Sequence, residues 1–267
     1  MQNNRWCQPC LWLELFVLFN MGGLVPDIYL AHSVNGFHSP AEYVPLIFSL
    51  AAPVGLLVAL AGWLTGRRRL WLWMGHFLGG TSMMIGLAGL ILHLQSQFFQ
   101  QFTLASLVYA APFAAPLAYT GLGSLLVMNR MVSDNEREWS HWVIFFAFGG
   151  FVGNFIFSLT DHAQNGFFHK TEWIPVASSA LAVGFLIVTL FVNVNWKFLS
   201  ICGCVMLGQV VVGVTGFILH AMADWHKVGD TLFLRIVHGA PIFAPLLFCD
   251  LAILAGIGLL VASKAKQ

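Results

Sequence analysis

Long, uninterrupted apolar runs set the pattern of this chain. They span Trp12–Leu30, Val44–Leu64, Leu70–Leu94, Leu104–Met128, Trp139–Thr160, Ile174–Val194, Phe198–Ala221 and Phe233–Val261. Each is long enough to cross a hydrocarbon layer of about 30 Å as a helix. The runs are continuous rather than alternating, which predicts helices and not a barrel. Composition agrees with a bilayer as the solvent: of 267 residues, 58% are hydrophobic and 9% charged, with a mean hydropathy of +0.80. Soluble domains carry about 25% charged residues. A net charge of +1 lacks the basic surplus that nucleic-acid partners need. Cys7, Cys10, Cys202, Cys204 and Cys249 are too few and scattered for a disulfide framework.

Lys and Arg predict the orientation. Arg5, Arg67, Arg68, Arg69, Arg130, Arg137, Lys197, Lys264 and Lys266 fall at one set of helix ends, and Lys170, Lys227 and Arg235 at the other. The richer set marks the cytoplasm, so both termini are expected there. The other face is then the periplasmic side of a bacterial inner membrane.

The polar segments between the runs repeat. "LAHSVNGFHSPAEYVPL" from Leu30 matches "TDHAQNGFFHKTEWIPV" from Thr160. "IGLAGLILH" ending at His93 matches "VGVTGFILH" ending at His220, and "YAAPFAAPL" from Tyr109 matches "HGAPIFAPL" from His238. The fold expected is an all-α integral membrane protein of eight transmembrane helices, arranged as two parallel four-helix repeats with pseudo-two-fold symmetry. The repeats cover residues 1–128 and 139–267, with a cytoplasmic linker at 129–138.

On this topology eight of the ten histidines lie on the outer side: His32, His38, His93, His162, His169, His220, His226 and His238. Asp27, Glu42, Asp161, Glu172, Asp224 and Asp230 join them there. Asn-Gly in each repeated sentence supplies a turn with positive φ. Glu42 and Glu172 suit the positive end of a helix dipole and equally suit a site. His32 and His162 end the first helix of each half, and His93 and His220 the third. Two symmetric pairs on one face point to a bound ligand, and imidazole is the commonest metal ligand.

Gly86 and Gly89 lie on the His93 face of their helix, and Gly213 and Gly216 on the His220 face. A flat macrocycle fits such a strip, which points to haem b held by His32 with His93 and by His162 with His220. Small residues at this spacing also pack helices together. Copper is the alternative cofactor, suggested by "HAMADWH" from His220 to His226, which combines imidazole with a soft Met. Asn35, Glu42, Asn165 and Glu172 would stand behind the ligands and orient them. His238 adds an imidazole where the first half has Tyr109, so the halves need not do the same work. Glu14 and Asp250 are acids inside apolar runs and candidates for function on that ground.

These features predict a redox or metal-cofactor membrane protein, engaged in electron transfer or membrane-bound oxidoreductase chemistry with other membrane or periplasmic redox subunits. A small-solute or metal-ion transporter is the competing class, and a non-catalytic subunit of a larger complex is the third. No glycine-rich phosphate loop or Ser-His-Asp order stands out.

Overall fold

The computed structural model describes residues 7–109, 112–164, 166–227 and 231–264. Asn165, Asp230, Arg5 and Lys266 lie outside the described residues. The chain runs through α1 (Cys7–Ser33), a 3-10 turn (Pro40–Glu42), α2 (Tyr43–Leu64), α3 (Arg68–Ser96), α4 (Phe98–Gln101), α5 (Leu104–Val108) and α6 (Leu117–Met131). It continues through α7 (Glu136–Gln164), a second 3-10 turn (Lys170–Glu172), α8 (Trp173–Phe191), α9 (Trp196–Trp225), α10 (Leu232–Val237) and α11 (Leu246–Lys264). No strand occurs among the described residues. The protein is thus all-helical and membrane-embedded: α1, α2, α3, α7, α8, α9 and α11 are the seven helices among the described residues long and apolar enough to span a bilayer.

Two apolar runs expected as single spans, with Pro112 and Pro116 or Pro241 and Pro245 interrupting their outer parts, are broken outright. Leu104–Met128 divides into α5, a turn and α6, and Phe233–Val261 into α10, a turn and α11. Proline has no N–H to give and clashes with the preceding turn. The breaks fall at Pro112 to Pro116 and at Pro241 to Pro245, where one-turn bonds such as Ala115 N to Pro112 O (3.1 Å) and Ala244 N to Pro241 O (3.2 Å) replace the helical ladder. The break leaves α6 with 15 residues, or about 22 Å at 1.5 Å per residue. That is why the eighth expected span falls short.

The helices associate in two sets. In the first, α1 packs on α2, α2 on α3, α3 on α6 and α1 on α6. The second set has the same relations among α7, α8, α9 and α11. Across the sets α1 meets α10 and α11, while α7 meets α5 and α6. Outward faces are apolar, with Phe19 73%, Trp73 75% and Phe191 78% exposed, as lipid-facing helices require. Polar groups turn inward, where small side chains let helices approach. Ser82 Oγ donates to Tyr119 O at 2.7 Å, Ser178 Oγ to Gln209 Oε1 at 2.7 Å, and Tyr119 OH pairs with Ser49 Oγ.

The connection between the two sets is shorter than the polar stretch 129–138. Asn129 and Arg130 still belong to α6 and are buried.

Candidate functional site

The repeated sentence folds the same way in both places. Gly36 (φ 67°) and Phe37 (φ 54°) both adopt the left-handed region, as do Gly166 (φ 66°) and Phe167 (φ 51°). Phe37 N donates to His32 O at 3.1 Å and Phe167 N to His162 O at 3.0 Å, which closes each helix at its histidine. The chain then enters a 3-10 turn whose last residue is the glutamate.

Each glutamate does two things at once. Glu42 Oε1 accepts from Ser39 N at 3.3 Å and from Asn35 Nδ2 at 3.1 Å. This is the reciprocal half of a capping box. Its other oxygen, Oε2, faces His32 Nδ1 at 3.4 Å. In the second sentence Glu172 Oε1 accepts from His169 N at 3.2 Å, and Oε2 faces His162 Nδ1 at 3.6 Å. The Glu42 and Glu172 Oε2 atoms are buried and accept no hydrogen bond among the described residues. The cap and the histidine contact therefore fall on different oxygens of one carboxylate.

The second histidine of each pair is held by the proline break. His93 Nδ1 lies 2.9 Å from Pro112 O, and His220 Nδ1 lies 2.9 Å from Pro241 O. A carbonyl oxygen only accepts, so Nδ1 is the protonated nitrogen and the neutral ring keeps its lone pair on Nε2. In His32 and His162 it is a carboxylate oxygen that faces Nδ1, at 3.4 and 3.6 Å, without a hydrogen bond among the described residues. The prolines thus supply the carbonyls that orient the ring ending α3 and the ring ending α9.

The structure brings His32 to His93, with ring centres 6.3 Å apart and planes at 80°. His162 and His220 lie within electrostatic reach of each other, and Asp161 within reach of His220. His238 is exposed at the end of α10, and its carbonyl accepts from Lys227 Nζ at 3.2 Å. No bond or ring contact among the described residues joins it to either pair. The segment from His220 to His226 is the last turns and cap of α9 and not a loop, and its side chains do not converge on one point. Asp224 is buried, with Oδ1 accepting from Ala240 N at 2.9 Å, and His226 Nδ1 turns back to Met222 O at 2.7 Å. Among the described residues no group of three or more His, Cys, Asp or Glu side chains is placed to hold a metal ion.

The glycine strips lie against the neighbouring helix ends. An added Cβ at Gly86 would meet Thr120 Oγ1, with Thr120 N at 2.6 Å and Pro116 O at 2.8 Å. At Gly89 it would lie 2.8 Å from Pro116 Cβ. Gly213 would meet Cys249 Sγ at 2.7 Å and Pro245 O at 2.8 Å, and Gly216 would meet Pro245 Cβ at 2.8 Å. Gly86, Gly89, Gly213 and Gly216 are therefore filled by the next helix and serve close helix packing. Gly86→Ala or Gly213→Ala should destabilise the protein by about 1–3 kcal/mol through overpacking. The thermal midpoint of the purified variant measures this. An unchanged midpoint would mean that the strip is open.

Two site features went unread in the sequence. One is the pair of prolyl carbonyls that orient His93 and His220. The other is the pair of phenylalanines, Phe37 and Phe167. Comparison with protein-family models, with curated proteins and with solved structures finds no match to this chain.

Proposed function

We propose that the chain is a bacterial inner-membrane protein of two parallel four-helix repeats that binds a redox metal at two paired-imidazole sites on its periplasmic face. Copper(I) is the favoured metal, and electron transfer or membrane-bound oxidoreductase chemistry is the favoured role. Support for the repeat is the recurrence of the same helix neighbours in both sets, and of the same turn at His32 and His162. Support for the orientation is the Lys and Arg surplus at the opposite end.

One observation carries the metal reading. His93 and His220 have Nδ1 hydrogen-bonded to Pro112 O and Pro241 O, and His32 and His162 have Nδ1 facing Glu42 and Glu172 at 3.4 and 3.6 Å. Neutral rings held this way would offer their Nε2 lone pairs to a metal, and outer partners of this kind raise ligand basicity.

The choice of metal follows from what else is near. Zinc calls for four ligands, three of them protein groups even in open sites, and neither pair has a third among the described residues. Monovalent copper is satisfied by two nitrogens in line, and imidazole suits copper. Two nitrogens about 2.0–2.1 Å from one ion, each about 1.1 Å in front of its ring centre, put in-line ring centres about 6.2–6.4 Å apart. The 6.3 Å between His32 and His93 agrees with this.

The same spacing suits the axial imidazoles of haem iron, which keeps haem b as a second reading. Against it, the surface expected to carry the porphyrin is occupied by Pro116 and Pro245.

Elemental analysis and an ultraviolet-visible spectrum of protein purified in detergent without chelators test both. Copper at one ion per histidine pair, with no Soret band, is expected. Soret and α bands after dithionite would move the assignment to haem. Protein with neither metal nor haem, even after incubation with copper(I), would end the reading.

A further inference from the structure

The phenylalanine after Asn-Gly is a costly choice in both sentences. A left-handed residue is natural for glycine and unfavourable for a bulky side chain. Yet Phe37 and Phe167 hold φ of 54° and 51° directly after a glycine that already turns the chain. Strain alone does not mark a site, because Phe102 (φ 50°) ends α4, packs on Phe98 and Phe99, and makes no ring contact with a histidine among the described residues. What sets the other two apart is where their rings lie.

Phe37 has its ring centre 5.8 Å from that of His32 and stacks on Tyr43 at 4.8 Å and 29°. Phe167 lies 6.2 Å from His162 and stacks on Trp173 at 4.0 Å and 10°. Tyr43 and Trp173 each follow the glutamate that faces the histidine. In both copies a stacked aromatic pair therefore sits beside an imidazole–carboxylate contact. The carboxylate oxygen in that contact is buried and has no hydrogen bond among the described residues.

Resting on the proposed sites, we infer that Phe37 and Phe167 are positioning residues that keep water from the Nδ1–carboxylate contacts of His32 and His162. Water there would solvate Glu42 or Glu172 and loosen its hold on Nδ1. The ring could then exchange tautomers, which would move the proton onto Nε2 and remove the ligating lone pair. A low local dielectric strengthens the contact. The backbone strain is retained because glycine, which would relieve it, brings no ring.

The test uses full-length protein labelled with ¹⁵N-histidine in detergent micelles, with signals assigned through His32→Gln and His162→Gln. Wild type should show both rings as the Nδ1–H tautomer. Phe37→Gly should give mixed tautomers at His32 only, and Phe167→Gly at His162 only. Both variants should keep or raise the thermal midpoint, because strain is relieved. Phe37→Tyr, which keeps the ring, should match wild type. Copper(I) affinity at the altered site, measured by competition with a chromophoric chelator, should fall about tenfold or more, as for loss of other outer partners.

Unchanged tautomer and affinity in the glycine variants would overturn the inference while leaving the metal sites standing. Nδ1–H rings with no copper binding in wild type would overturn the metal reading, and the tautomer comparison would still judge Phe37 and Phe167. A lowered midpoint with unchanged tautomers would make the two rings loop packing and overturn the positioning role.

Discussion

Replacing Glu14 by Gln, or Arg130 by Met, should destabilise the folded protein by about 3–5 kcal/mol, because either change strands a buried partner. Against a typical net stability of about 5–15 kcal/mol, that loss is enough to threaten the fold. Arg130 Nη1 donates to Glu14 Oε2 at 2.5 Å and Nη2 to Oε1 at 2.6 Å, with side chains 0% and 2% exposed. Asn129 Nδ2 donates to Cys10 O at 3.1 Å, and Asn129 Oδ1 accepts from Trp139 Nε1 at 3.0 Å. The Trp71 ring lies 4.3 Å from the guanidinium carbon, a cation–π arrangement. Gly75 leaves the guanidinium its room, since a Cβ there would fall on it.

The proposed repeat supplies the control for this network. In the second half Ile144 stands at the place of Glu14, Gly258 at that of Asn129 and Leu259 at that of Arg130. Ile144 and Leu259 are buried, and a Cβ on Gly258 would lie 2.8 Å from Ile144 Cγ1. The same position in the bundle is thus filled once by an ion pair and once by hydrocarbon. Buried pairs are often replaceable by apolar groups of similar volume. The double variant Glu14→Ile with Arg130→Leu should therefore recover most of the stability that either single change loses. Thermal unfolding of the three purified variants in one detergent decides this. A double variant as unstable as the singles would mean that the first half needs its charges where the second does not.

Hydropathy alone located most long helices to within a few residues, because a span announces itself in its own window of sequence. It failed where the deciding partner is remote. Arg130 sits in a charge-rich stretch and reads as linker; its partner Glu14 is 116 residues away. The glycines four and seven residues before His93 and His220 are legible as a strip from their spacing. Their occupant is not visible there, because Pro116 and Pro245 arrive from the turns that lead into α6 and α11. The prolines were legible as breaks, but which donor would take the exposed carbonyl depends on how α3 and α9 end beside them. Glu42 and Glu172 behind their histidines were legible, because turn and site share one short segment. Phe37 and Phe167 stand in both sentences, yet Asn-Gly accounts for a turn by itself, so nothing in the sequence marks the residue after it.

The histidine pairs should behave as two independent sites. Each pair joins the first and third long helices of its own set, α1 with α3 and α7 with α9. His93→Ala should therefore halve the copper bound per chain and leave the other site at its wild-type affinity. His220→Ala should do the same for the second site, and the double variant should bind none. The fold should survive, because each change removes one hydrogen bond to a prolyl carbonyl, worth about 0.5–1.5 kcal/mol. Glu42→Gln is the finer probe. It keeps an oxygen near His32 Nδ1 but removes the charge, so the ring stays in place and its Nε2 becomes a poorer donor. Affinity at the first site should fall about 10–100-fold, with copper still reaching one ion per pair at saturation. Equilibrium competition against a copper(I) chelator, paired with elemental analysis after desalting, separates affinity from stoichiometry. If His93→Ala alone empties the protein of copper while its thermal midpoint holds, the two pairs act on one shared centre and the two-site arrangement is wrong.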